Sequence, residues 1–565
     1  MDKMITRLMA GCLMLIAAPA SALAQNSPAQ LPGSVDPGRL QQRFEAPPQP
    51  RAAPEPLLPE GDRKASPEEA AKIRFNLSAI KLTGNTVFTE AGLLDIYQPY
   101  LGKEVSLADI YLIADAITAH YRNAGYVLAK ASPPAQRVEN GVVQIVVVEG
   151  VIGKVTIEGQ VPENREFLDA YLQKIAASTP LKNDVLERYV LLINDLPGVT
   201  AKAILIPSFD TPGATDLVLQ FSEDRWDAAV TADNRGTEFI GSVQVRLQGG
   251  VNNLLGNFER INAQFITTQN MNELQFLDFG YTQPVGSEGT LLGLSGNISW
   301  SNPGNSLKPF DIEGQNRSLT ASVSHPWIRS RRKNVSFLGS LTYKNSVTDL
   351  RSSALTEDRL RVLRFGANAD FSDKFRGVNL FGAEIGQGLD ILNASGSGST
   401  FRTRSSGRED FTKLTGNAMR VQQFTDLLRG VVGVNGQYAF SQVFASEEFG
   451  YGGVPFGQAY DPSQITGDHG LAARAEGQFR LPYTHEILSS TELYTFYDIG
   501  AVWRIDNSTR ARKESAASLG AGVRFAVQNR LYGYLEVADP LTARVQTRGD
   551  EGKSPRFFFS LTSPL

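Results

Sequence analysis

From about residue 224 to the C-terminus, apolar and polar residues alternate in stretches of about ten, each closed by a turn or loop of Gly, Asn, Asp and Ser. Residues 290–301 show it best, with Leu292, Leu294, Ile298 and Trp300 marking one face and Ser295, Asn297 and Ser299 the other. A period of two means a strand with an oily side and a wet side. Many such strands in succession, behind an export signal, describe an antiparallel transmembrane β-barrel.

That signal is expected at residues 1–24. Lys3 and Arg7 precede an apolar stretch, and Ala22-Leu23-Ala24 precede Gln25. A lipoprotein signal is the alternative, since Leu8-Met9-Ala10-Gly11-Cys12 has the right chemistry, but Cys12 stands too early in the apolar stretch. With Ala24 as the cut, the one cysteine leaves with the signal, so neither disulfide nor thiol chemistry is expected. No later segment offers the ~18 apolar residues of a spanning helix. Charge is near balance, 55 basic against 59 acidic residues, which argues against a nucleic-acid surface. His120, His325, His469 and His485 lie far apart, so no metal site and no cofactor are expected. Asp468-His469 comes with no nucleophile motif and reads as loop hydrogen bonding, so no enzyme is expected either.

Four regions follow the signal. Residues 25–73 are proline-rich and read as an extended tether. They hold one helical island, with Asp36 as N-cap, Pro37 in the first turn and a polar stretch over 38–46 that includes Arg39 and Arg43. A helix so short does not persist in water, so the island is either part of a disordered linker or a helix that orders only inside a polar cavity. The tether divides into an N-terminal segment, 25–46, and a linker, 47–73. Residues 74–150 and 151–223 each read as a small β-α-α-β-β unit. In the first, a strand around Leu77, Ile80 and Leu82 precedes helices at 89–100 and 106–124 and strands at 127–133 and 142–148. In the second, helices at 165–177 and 183–196 precede strands at 200–207 and 216–222.

Residues 224–565 hold sixteen strands, the first near 226–233 and the last near 555–563, an even number as a bacterial barrel requires. Their connections alternate: 283–289, 326–334 and 373–377 are short, while 302–315, 344–358 and 390–409 are long. Short periplasmic turns and long outer loops produce that alternation. A barrel this wide leaves an aqueous lumen, which the chain itself must block unless it is a porin. The two candidate plugs are the 36–46 helix and the longest outer loop, 443–470, rich in glycine. Basic residues Arg329, Arg331, Arg332 and Lys333 read as a solvated periplasmic turn, with contact to client or α/β unit as the alternative.

Several motifs carry a resemblance. Gly84-Asn85-Thr86-Val87-Phe88, Gly125-Tyr126-Val127 and the run from Gly141 to Gly150 resemble the POTRA domains of two-partner-secretion transporters, the hemolysin secretion/activation family. Asp233-Asn234-Arg235-Gly236 and Phe496-Tyr497-Asp498-Ile499-Gly500 are similar to that family as well. The resemblance implies a plug helix, a linker, two POTRA domains and a sixteen-stranded barrel. It implies an outer-membrane transporter, its POTRA domains in the periplasm, that binds a large secreted exoprotein unfolded and threads it to the surface without a nucleotide. A monomer in outer-membrane lipid is expected. The alternatives are a barrel insertase and a gated porin or uptake channel. The C-terminus differs from the usual aromatic ending, because Phe557-Phe558-Phe559 is followed by residues 560–565.

One departure touches the site. The family's loop carries a Val-Arg-Gly-aromatic tetrad whose arginine pairs with a wall aspartate. Here Gly453, Phe456, Gly457, Gln458, Tyr460 and Asp461 occupy the matching stretch, with Phe456 where arginine would stand. The matching aspartate, Asp498, is present. A carboxylate withdrawn from water without a partner costs several kcal/mol. Alternation puts Arg474 on the lumen side of the neighbouring strand, and it is expected to replace the missing arginine, with Gln458 hydrogen bonding nearby. The alternative is that Asp498 is simply hydrated in the lumen.

Overall fold

The structure is a computed structural model that describes residues 31–45, 49–50, 70–160, 165–211, 213–396, 398–482, 485–505, 511–545 and 552–565. The expected export signal and most of the proline-rich tether lie outside them. Asp36 starts the N-terminal helix as expected, its carboxylate accepting from Gly38 N at 2.8 Å. The helix is shorter than the sequence suggests: a 3-10 turn at Pro37–Arg39 runs into α1, Leu40–Phe44, and Glu45 is already extended. Ala46 lies outside the described residues.

The first periplasmic unit contains β1 (Arg74–Asn76), β2 (Ala79–Thr83), α2 (Glu90–Tyr97), β3 (Glu104–Ser106), α3 (Leu107–Asn123), β4 (Lys130–Ser132) and β5 (Val142–Val148). Ser106 and Asp109 cap α3 reciprocally, and its stripe of Ile110, Ile113, Ile117 and Tyr121 is buried on the sheet. The sheet order is β2-β5-β4. Three local expectations change. Leu77 is buried but precedes the strand, β1 and β3 form an unforeseen pair, and the 127–133 strand shrinks to three residues. Its start is instead a turn, with Ala129 N donating to Tyr126 O, that packs Tyr126 against Phe88 and Tyr121.

The second unit repeats the order: β6 (Val151–Gly159), α4 (Glu166–Ala176), α5 (Asn183–Asn194), β7 (Val199–Pro207) and β8 (Ala214–Glu223), with sheet order β6-β8-β7. It is seated on the barrel. Arg329 makes a two-pronged contact with Asp195 at 2.7 and 2.8 Å, while Arg188 and Tyr189 both donate to Glu288. Phe258, on a barrel turn, is fully buried in this unit's core, its ring 5.7 Å from that of Phe167. The basic turn, expected to be solvated, is thus seated on the α/β unit instead.

The barrel strands are β9 (Trp226–Asp233), β10 (Gln244–Asn252), β11 (Arg260–Thr268), β12 (Gln275–Val285), β13 (Thr290–Ser301), β14 (Ile312–Arg329), β15 (Lys333–Leu350) and β16 (Ser353–Ser372). They continue through β17 (Gly377–Gly388), β18 (Thr412–Gln423) and β19 (Leu428–Ala439). A loop then carries a small hairpin, β20 (Phe449–Tyr451) with β21 (Ile465–Gly467). The wall resumes with β22 (His469–Arg480), β23 (Leu488–Trp503), β24 (Lys513–Val527), β25 (Leu531–Pro540) and β26 (Arg556–Pro564). Omitting the hairpin, these sixteen close into one antiparallel ring, β26 pairing with β9. On β13, Leu292, Leu294 and Trp300 are exposed outward, whereas Asn297 and Ser299 are buried inside.

The closing seam explains the unusual C-terminus. Ser560, Leu561, Thr562, Ser563 and Pro564 are the residues that pair with β9. Asn234 lengthens the seam: its own N–H and Nδ2 donate to Phe559 O and Phe557 O, and its Oδ1 accepts from Phe559 N. One loop expectation is overturned. The connection placed at 344–358 is strand almost throughout, because β15 and β16 run to a two-residue turn at Arg351-Ser352. Both turn residues have positive φ, +50° and +60°, the geometry that matches a hairpin's twist. The missing glycine or asparagine hid that turn.

Glu149 anchors the first unit. Its buried carboxylate accepts from Thr86 N (2.6 Å), Val87 N (2.7 Å), Tyr121 OH (2.9 Å) and, closely, Thr86 Oγ1. Burial pushes this carboxyl up, but the four donors outweigh it and hold it below its ordinary value. Its stabilising contribution is therefore complete above the ordinary glutamate range and is lost as pH falls through the lowered value. Glu149→Gln turns an amide toward these donors and should cost about 2 kcal/mol. Protection factors of the α3 amides in the full chain are expected to drop in Glu149→Gln and to lose their acid dependence.

Candidate functional site

Inside the ring the chain blocks its own lumen, leaving a cavity of about 620 Å³ between the N-terminal helix and the loop that follows β19. The helix is held mostly by polar contacts. Arg39 Nη1 donates to Ala445 O (2.6 Å) and its Nη2 to Ser463 Oγ (3.2 Å). Gln42 Nε2 donates to Ser446 O (3.2 Å), and Arg43 Nη2 to Arg235 O (2.9 Å). From the wall, Asn297 Nδ2 donates to Gln41 Oε1 and Lys344 Nζ to Gly38 O. The polar reading of the helix missed its other side. Leu40 and Phe44, four residues apart, pack with Phe239, Ile240, Ile266 and Phe276, the Phe44 and Phe276 rings 5.1 Å apart.

The loop folds inward on β20–β21, and its tip, 453–461, meets the wall. Gly457 N and Gln458 N both donate to Asp498 Oδ2, at 3.0 and 3.1 Å. Gly457 has φ +88°, and a Cβ there would lie 2.8 Å from the Tyr451 ring, so no other residue fits easily. The same ring covers Gly500, where a Cβ would come within 2.2 Å, which accounts for the glycine two residues after Asp498. Gly453 N donates to Gly457 O (3.2 Å), Tyr460 OH to Ala517 O (2.8 Å), and Asp461 accepts from Arg556 Nη2 (2.9 Å). Phe456 is partly buried against the apolar cluster of Tyr451, Tyr460 and Val502.

Arg474 faces the lumen and is the cross-strand partner of Asp498. Its Nε lies 3.8 Å from Asp498 Oδ1, within ion-pair range but beyond a hydrogen bond. Its hydrogen bonds go to Glu476 and to Val454 O (3.1 Å), and it lies over the Phe496 ring. With its amide turned to suit these neighbours, Gln458 accepts from Arg474 Nη2 (2.6 Å) and donates to Glu536 Oε2 (3.1 Å). Asp498 is fully buried and takes its hydrogen bonds from loop backbone, with a guanidinium nearby.

Two residues that sequence reasoning assigned no role grip the tip as well. Arg235 donates to Gln458 O (3.0 Å), Glu536 Oε1 (2.7 Å) and Tyr534 OH (2.9 Å). Arg556 holds Ala459 O (2.9 Å) in addition to Asp461. Arg235 belongs to the first-hairpin motif, a signal in plain view; Arg556 begins the last strand and carries no such mark.

A lipid-facing ring plugged by its own N-terminal helix and an inward loop, and fronted by two α/β units, defines a POTRA-fronted outer-membrane transporter. Residues 213–525 match the family model described as haemolysin secretion/activation protein ShlB/FhaC/HecB, and residues 75–150 match the ShlB-type POTRA domain. The heme/hemopexin transporter protein HuxB of Haemophilus influenzae (strain 86-028NP) is 24% identical over 505 residues, 87% of each chain. The outer membrane transporter CdiB of Dickeya dadantii (strain 3937) is 21% identical over 413 residues, covering 71% of this chain and 72% of that one. The solved structure of CdiB from Escherichia coli superposes with a TM-score of 0.69 at 18% identity, over 91% of this chain and 94% of that one. The chain belongs to the haemolysin secretion/activation family. It is an outer-membrane two-partner-secretion transporter with an N-terminal POTRA domain in the periplasm.

Gly457→Ala forces a side chain into a backbone conformation that costs about 1–2 kcal/mol and into the Tyr451 ring. Asp498→Ala removes the acceptor for two buried amides. In both variants the Gly457 and Gln458 amides are expected to exchange at least about tenfold faster than in the parent. Unchanged protection would show that the tip is held without this contact.

Proposed function

We propose that the transporter works as a self-plugged conduit, in which both obstructions are parts of the chain that an arriving client displaces in turn. The observation that carries this is the fit of the helix. Its hold is a set of hydrogen bonds to loop carbonyls and wall side chains plus two apolar residues. A five-residue helix has almost no stability of its own, so it leaves without an unfolding penalty.

Capture falls to the α/β units. In each three-stranded sheet the outer strands, β2 and β4 or β6 and β7, have one hydrogen-bonding side unused by the sheet. An extended client adds there by backbone hydrogen bonds, which ask little of its side chains. The ionic seat of the second unit on the barrel, through Arg329–Asp195 and Glu288, holds these edges at the periplasmic mouth.

Arg474 supplies the positive charge that the family's loop arginine would bring to Asp498. Gln458 bridges that charge to Glu536, so the tip stays registered on β22–β23 although Phe456 replaces the arginine. The working unit is a monomer in outer-membrane lipid, and folding of the client outside supplies the pull.

Removing residues 25–73 should raise planar-bilayer conductance, and an unchanged conductance would count against the helix as a plug. Removing residues 74–222 should abolish client secretion while the barrel still assembles. Secretion that continues would take the recognition role away from the α/β units.

A further inference from the structure

The inner grip at Asp498 does not account for the buried carboxylates of the loop itself, of which Asp468 is the most withdrawn from water. Asp468 stands at the opposite end, between β21 and β22, and is fully buried at the outer rim. It accepts four hydrogen bonds. Arg404 Nη1 and Nη2 donate to its two oxygens at 2.6 and 2.9 Å. Val443 N donates to Oδ1 and Ile505 N to Oδ2, both at 2.9 Å. These donors come from three different outer segments: Arg404 from the β17–β18 loop, Val443 from the start of the β19–β22 loop, and Ile505 from the segment after β23.

The surroundings reinforce the tie. Thr403, beside Arg404, accepts at Oγ1 from Ala445 N (3.2 Å), and Arg408 N donates to Gln442 O (3.0 Å). Beneath them Phe411, Val443 and Phe444 are fully buried with Leu360 and Val362. Arg404 also meets a second buried carboxylate, Glu448, at 2.9 Å. Withdrawing this one guanidinium removes the cation that both buried carboxylates face and leaves Asp468 with backbone donors alone, a cost that falls when the loops part and water enters.

We propose that Asp468 is a positioning residue that clasps three outer segments together and holds the outer end of the conduit shut. It forms a second gate, separate from the helix and from the tip contact at Asp498. A client that has cleared the helix still meets this clasp. Parting Arg404 from Asp468 is then the step that frees the β17–β18 loop from the β19–β22 loop.

The test uses the full chain in planar bilayers, with ionic conductance as the probe. D468N keeps the shape but removes the charge and turns an amide toward donors; open time should rise about tenfold, the equivalent of one lost charged hydrogen bond. Its heat-modifiable electrophoretic mobility should match the parent, showing an intact barrel. The second variant, T403C/A445C, joins the two loops reversibly; Cys12, the chain's single cysteine, lies in the expected export signal. Oxidised, this pair should suppress openings below the parent level, and dithiothreitol should restore them. Because the helix lies in the same lumen, both variants are read with residues 25–73 present and removed. Parent-like conductance in D468N after that removal, or an oxidised pair that then opens as often as the reduced one, would overturn the proposal.

Discussion

Everything in this molecule follows from the ban on an unpaired strand edge in hydrocarbon. Each backbone N–H and C=O within the lipid must find a partner in the wall, and only a closed ring satisfies them all. Closure forces β26 onto β9, and that demand reaches into side-chain chemistry: Asn234 adds hydrogen bonds just past the last strand pair. The ring in turn makes a lumen, and a lumen that leaks is not tolerable. The plug, the inward loop and the outer loops are answers to a problem that closure itself creates.

The fold was highly legible because the period-two pattern has one cause. Lipid selects one face and water the other, so strands such as β13 announce themselves without reference to their neighbours. Legibility fails where that pressure stops. Toward their outer ends β15 and β16 carry polar residues on both faces, with Lys344, Ser346 and Thr348 buried on the lumen side, so that stretch looked like a loop while the hydrogen-bonded ladder ran on to Arg351-Ser352. Near Tyr126 an aromatic packing demand overrode a local strand pattern.

The site was less legible, for a related reason. The wall glycine and aspartate of β23 and the loop glycine stood out, since each has a geometry that few residues meet. What joins them did not. Both hydrogen bonds to Asp498 reach Oδ2 from backbone amides, which every loop possesses and no sequence advertises. Arg556 reaches the tip only because closure brings the last strand beside the first, and Leu40 and Phe44 show their role only once Phe276 is placed beneath them. Arg474 was found by alternation, yet its hydrogen bonds to Glu476 and its contact with Gln458 depend on a side-chain geometry that spacing does not encode.

Phe258 carries one more implication. Because this barrel-turn side chain is embedded among the hydrophobic residues of the second α/β unit, that unit cannot swing without dragging the β10–β11 rim along. Periplasmic arm and barrel lip share one hydrophobic core, so any load on that arm bears on the strands beside the seam.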